Sequence, residues 1–148
     1  MSEDEAAIRA LIEERAAAMR ERDAGRAVAT LAEDIVAFEL APPLALGPAE
    51  ARDAAGLAAW LAGWDGPVGI EISDLHVEAC GEVGWCRSLN RLHGRLKDGR
   101  SVDMWMRSTL AFRKAGGAWR IVHGHSSLPF LMDGSYRAAL DLKPDEID

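Results

Sequence analysis

From Ser101 to Phe130 the chain alternates apolar and polar residues in two long runs, SVDMWMRSTLAFRK and AWRIVHGHSSLPF, set on either side of Ala115-Gly116-Gly117. A period of two sends successive side chains to opposite faces, so each run predicts a strand and the glycines predict the turn of a hairpin. Loop length then decides which side chains meet. With Gly116-Gly117 alone as the turn, Trp105, Arg107 and Thr109 share a face with Val122, Gly124 and Ser126, and both histidines point the other way. With a three-residue loop ending at Gly117, Lys114 pairs with Ala118 and the faces segregate. One face then carries Trp105, Arg107, Thr109, Trp119, Ile121, His123, His125 and Ser127; the other carries Met104, Met106, Leu110, Phe112, Val122 and Leu128. The three-residue loop is the expected one, because it yields one continuous apolar surface and one half-polar pocket wall.

Upstream, the pattern changes period. Ser2 with Glu5 forms a capping box, acidic residues fill the first turn, and Ile8, Leu11, Ile12 and Met19 recur at helical spacing, predicting a helix to about Arg22. Asp23-Ala24-Gly25 breaks it, a short helix follows from Arg26 to Ala32, and Ile35 to Leu40 alternates like a strand. After a loop marked by Pro42, Pro43, Gly47 and Pro48, helical spacing returns from Ala49 to Trp64 and stops at Gly66-Pro67. Strands are predicted from Val68 to Cys80, Val83 to Leu96, Ser101 to Lys114 and Trp119 to Phe130, an antiparallel meander. Residues 131–148 read as a polar C-terminal arm.

Composition narrows the class. The chain has 148 residues without a composition break, which predicts a single domain, residues 1–148, with a substantial core. A net charge of −7 gives no electrostatic footprint for nucleic acid or an anionic membrane. No apolar run reaches the length of a membrane span, and the acidic start MSEDEAAIRA is unlike a signal peptide, so a cytoplasmic location is expected. Cys80 and Cys86 have no second pair, which predicts reduced thiols. No dinucleotide fingerprint or phosphate loop occurs, and no organic cofactor is expected.

The order helix, short helix, strand, helix and long meander resembles the cone-shaped α+β fold of the nuclear transport factor 2-like superfamily, in which helices pack on a curved antiparallel sheet. That superfamily includes ketosteroid isomerase and the SnoaL-like polyketide cyclases. The run WMRSTLAFRKAGGAWRIVHGHSSLPF is similar to the C-terminal signature of SnoaL-like proteins, with its Arg-x-Thr strand, Gly-x-Trp turn and His-x-His-x-Ser strand. Laying Ala32-Glu33-Asp34 on the Ala-Asp-Asp run of ketosteroid isomerase puts Glu39 at the position of the catalytic base. The oxyanion-stabilising tyrosine then falls at Arg15 and the protonated aspartate near Thr109. The resemblance thus keeps the base and loses the oxyanion pair.

The chemistry-bearing residues follow from both readings. Glu39, between Phe38 and Leu40, is a candidate base whose burial would raise its pKa. His123 and His125 alternate onto one face and are candidate acid-base groups; with no third ligand at diagnostic spacing, no metal is expected. Arg107 can anchor a carboxylate or an enolate, or pair with Asp103 or Glu39 as structure. Trp105 would supply an apolar wall, and Thr109, Ser127 and Asn90 hydrogen bonds to substrate, with His93 as a lesser candidate; Ser126 and Ser127 lack the Gly-x-Ser-x-Gly elbow that would expose a nucleophile. The expected function is a pocket for a small, largely apolar organic molecule, with proton-transfer chemistry of the isomerase or cyclase type. The rival expectation is a binding or dimerisation domain without catalysis. A homodimer is expected, because the Met104 to Leu128 apolar face needs a cover and the superfamily resemblance implies sheet-to-sheet pairing.

Overall fold

A computed structural model describes residues 1–144; the last four residues of the expected arm lie outside the described residues. Helix α1 (Glu3–Arg20) starts where Ser2 accepts a hydrogen bond from the Glu5 backbone N–H at 3.1 Å, and Ile8, Ile12 and Ala16 form its buried stripe. Helix α2 (Ala24–Ala29) is capped by Asp23, which accepts from the Arg26 N–H. The predicted helix from Ala49 to Trp64 is two helices, α3 (Pro48–Ala51) and α4 (Ala54–Ala62). The side chain of Asp53 accepts from the Gly56 N–H at 3.0 Å and so starts a new helix where the old one would have continued. Trp64, expected to close that helix, opens a strand instead.

Five strands form where alternation predicted them, β1 and β2 starting earlier and β5 ending sooner than expected: β1 (Leu31–Phe38), β2 (Trp64–Cys80), β3 (Val83–Leu96), β4 (Ser101–Ala115) and β5 (Ala118–Ser127). They form one sheet in the order β1-β5-β4-β3-β2, antiparallel from β2 to β5 as predicted, with β1 added in parallel beside β5. Register shifts in β2, one of them at Asp74 with φ of 53°, bend the long strands. Gly94, at φ of 151°, lets the Trp64 ring lie against β3, where an added Cβ would come within 3.0 Å of it.

The final hairpin corrects the expected register. Ala115 pairs with Ala118 and Lys114 with Trp119, so the turn is the two residues Gly116 and Gly117, at φ of 58° and 80°. Both central residues in left-handed conformation match the twist of the flanking strands, which a three-residue loop is not needed to achieve. Beyond the turn, Phe112 pairs with Ile121 but Ala111 pairs with His123, leaving Val122 as a one-residue bulge. That extra residue inverts everything after it. Trp119 and Ile121 join Phe112 on the inner face, whereas His123, His125 and Ser127 fall on the face of Arg107 and Thr109. The histidines therefore share a face with Arg107 as expected, for a different reason.

The helices cover the Met106, Leu110 and Phe112 side of the sheet. One core cluster joins Ile8 and Ile12 of α1 to Ile35, Val77, Phe112, Trp119 and Ile121; another, at the far end, joins Ala24, Leu61, Trp64 and Val68. The apolar face expected to need a second copy is thus buried by the chain's own helices.

Candidate functional site

Between the two core clusters the inner face is not filled. A cavity of about 360 Å³ lies over the centre of β3 and β4, walled by Ile12, Met19, Ile70, Leu92, Met106 and Leu110. A second lobe of about 420 Å³ opens toward α3, α4 and β1, and the two share Arg15, Met19, Glu39, Trp60, Leu110 and Ser126. The space is of the size and character of a small-molecule site: apolar walls with a few convergent polar groups.

The polar groups central to it come from three places, while Arg91 borders the first lobe and Glu50 and Asp53 the second. Arg15 projects from α1, one residue from the buried Ala16, and is half-buried over the cavity. Glu39 stands just past the end of β1, where the chain leaves the sheet; it is exposed and borders both lobes. Among the described residues neither charge forms an ion pair with a protein group. The floor supplies neutral groups: Ser88 and Asn90 from β3, Ser108 from β4 and Ser126 from β5. The Ser88 hydroxyl donates to Asn90 Oδ1 at 2.8 Å. Cys86 also reaches the cavity wall, but burial pushes its thiol up to about 11, so it stays protonated and inert at neutral pH.

Of the residues singled out in the sequence, Glu39 and Asn90 meet at this cavity, and the others do not. Glu39 is at its mouth rather than buried. Trp105, Arg107, Thr109, His123, His125 and Ser127 lie on the outer face of the sheet, because strand alternation puts them opposite the inward Met106, Ser108, Leu110, Gly124 and Ser126. There Arg107 Nε donates to Ser127 Oγ at 3.2 Å, and His123 Nδ1 lies 2.7 Å from the Val36 carbonyl oxygen. The Phe38 ring meets both histidines edge-on, at 4.7 and 5.5 Å. His125 borders a shallow groove outside the cavity, lined also by Glu39, Pro42, Pro43 and Leu44. His93 is likewise outward, beside Glu71 at 3.3 Å, in a cluster where Arg91 binds Asp103 through two contacts of 2.8 Å. Arg91 holds the Asp103 carboxyl below the usual carboxylate range.

Arg15, Ser88, Ser108 and Ser126 were not among the expected site residues. The signal for Ser88 and Ser108 was present: Cys86-x-Ser88-x-Asn90 and Met106-x-Ser108-x-Leu110 place hydroxyls at alternate positions of otherwise apolar faces. Among the described residues, no group of three or more His, Cys, Asp or Glu side chains is disposed to hold a metal ion. No described helix is long and apolar enough to cross a membrane.

Residues 8–131 match the family model of the SnoaL-like domain. Among solved structures, an NTF2-like protein of unknown function from Pseudomonas putida KT2440 is 35% identical, with a TM-score of 0.82 over 95% of this chain and 96% of that one. A ketosteroid isomerase-like protein from Erwinia carotovora atroseptica SCRI1043 shares the fold at 21% identity and a TM-score of 0.70, over 86% of this chain and 97% of that one. So does an NTF2-like protein with a cystatin-like fold from Novosphingobium aromaticivorans, at 20% identity and a TM-score of 0.66, over 90% and 84% of the two chains. No curated protein matches the sequence. A family match that spans most of the chain, on the helix-covered sheet that the order of elements implied, settles the kinship: the chain belongs to the SnoaL-like family of the nuclear transport factor 2-like superfamily.

Proposed function

We propose that the cavity binds a small, largely apolar organic molecule, and that Glu39 transfers a proton on it while Arg15 holds the negative charge that develops. The observation that carries this reading is that the Glu39 carboxylate and the Arg15 guanidinium, neither of them in an ion pair among the described residues, are the two charged groups that border both lobes of the apolar space. In such a site Glu39 takes a proton from a carbon next to a carbonyl, the electron pair moves to the carbonyl oxygen, and Arg15 donates to that oxygen. Return of the proton at another carbon completes an isomerisation with no cofactor. The superfamily resemblance supports the role of Glu39, which aligns with the base of ketosteroid isomerase; the role of Arg15, which stands where that enzyme has its oxyanion-stabilising tyrosine, rests on its place over the cavity. His123 and His125, on the outer face, take no part.

The test is conversion of 3-cyclohexenone to its conjugated isomer, followed by proton exchange into deuterated water. Glu39→Gln should lower the rate by about 10²- to 10⁴-fold and Arg15→Met by about 10²-fold or more, the usual range for a positioned base and a charge-stabilising donor. Equal rates for Glu39→Gln and the unmodified protein overturn the catalytic role. A second reading, a binding domain without catalysis, is favoured by one feature: the deepest polar groups, on the sheet floor, are neutral hydroxyls and an amide. It predicts ligand binding with no exchange.

We also propose a second copy of the chain as the partner of the outer sheet face. Val36, Phe38 and Trp85 stand exposed there among charges of both signs, which suits a self-complementary interface.

A further inference from the structure

Ser88, Ser108 and Ser126 lie directly opposite one another on β3, β4 and β5: Ser88 pairs with Ser108, and Ser108 with Ser126. The three hydroxyls form a row across the floor of the cavity, flanked by Leu110 on one side and Met106 and Leu92 on the other. A row of serines is an expensive floor for an apolar space unless its hydroxyls are used. Ser88 is used already, by Asn90. Ser108 is not: it is only 7% exposed, it lines the cavity, and its hydroxyl has no hydrogen-bond partner among the described residues. Ser126 lines both lobes, likewise without a side-chain hydrogen bond among the described residues.

We infer that Ser108 and Ser126 are the specificity-determining pair of the cavity, and that the ligand carries two oxygen functions on alternate carbons of a six-membered ring. Directly opposed side chains on neighbouring antiparallel strands stand about 5 Å apart, which is also the separation of two such ring oxygens, so both can be engaged side by side. Oxygens on adjacent carbons are too close together for this, and a ring with only one oxygen leaves a buried hydroxyl unpaired. The Asn90 amide, whose Oδ1 is taken by Ser88, keeps its N–H groups for a further oxygen on the same side. This inference rests on the reading that the cavity takes a small organic ligand, and it is independent of whether Glu39 acts on that ligand.

The probes are 1,3-dihydroxybenzene and its isostere 1,3-dimethylbenzene, titrated against isotopically labelled protein while backbone amide shifts in β3, β4 and β5 are followed. Ser108→Ala and Ser126→Ala should each weaken the dihydroxy probe about fivefold, the loss of one ordinary hydrogen bond, and leave the dimethyl probe unchanged or tighter. If both probes bind and the serine substitutions affect them equally, the oxygen-reading role is refuted and the pocket stands. If neither probe shifts the floor amides at millimolar concentration, the pocket reading falls and this inference with it.

Discussion

Replacing either turn glycine by alanine should destabilise the protein, and by similar amounts. Gly116 and Gly117 have φ of 58° and 80°, and nothing lies within 4 Å of a Cβ built on either, so the cost is conformational and not steric. Left-handed backbone costs a residue with a Cβ about 1–2 kcal/mol. Against this, alanine stiffens the unfolded chain and recovers about 0.4–1 kcal/mol. The net is about 1 kcal/mol for each variant, or about 2–4 °C in Tm for a chain of this size. Gly116→Asn should cost much less, because Asn tolerates that conformation and Asn-Gly is the preferred pair in this turn. Urea denaturation followed by tryptophan fluorescence measures all three. A full penalty at Gly117 with none at Gly116 would refute the two-residue turn. Lys114 would then pair with Ala118, and the bulge at Val122 would no longer be what aligns the histidines with Arg107.

Two further predictions concern stability and assembly. Asp4 accepts hydrogen bonds from Lys114 Nζ and Trp119 Nε1, each at 3.1 Å, and these two, in that order, lower its pKa. Its contribution is therefore complete above the unfolded carboxyl value of about 3.9 and disappears as pH falls through the lower folded value. The urea midpoint of Asp4→Asn should trail the unmodified protein at pH 7 and converge with it toward pH 3; a constant gap would refute the assignment. For assembly, Phe38→Glu should leave the circular dichroism spectrum intact and dissociate a dimer, whereas Phe112→Ala, at a residue 1% exposed, should cost about 3–5 kcal/mol as a core truncation. A light-scattering mass near 16.0 kDa for the unmodified chain would refute the dimer.

Much of the architecture was legible in the sequence because it is local. The Ser2 capping box, the Ile8 to Met19 stripe and the alternation of β3 and β4 each record a backbone period, and the structure has those elements within a few residues of the expected bounds. Asp53 shows where local reading failed: the apolar spacing ran through it, and its capping hydrogen bond divided the helix. The candidate site was legible only in part. Glu39 and Asn90 reach the cavity, but six other expected residues face away from it.

The reason is that alternation specifies two faces without saying which one the helices cover. The Met106, Leu110 and Phe112 face and the Arg107, His123 and His125 face were both apparent as sets. Assigning the polar set to a pocket assumed that a second copy buried the apolar set. Long-range packing decided otherwise: Ile8 and Ile12 on α1, roughly a hundred residues away in the chain, fill the apolar face, and the incompletely filled space beside them becomes the cavity. The one-residue bulge at Val122 was equally invisible, since no local preference records which strand position will be left unpaired. Periodicity thus determined the elements and the alternation within each strand, while the membership of the faces across the hairpin, where Trp119 and Ile121 parted from the histidines, the direction of each face and the row of Ser88, Ser108 and Ser126 existed only once the strands had been put in register.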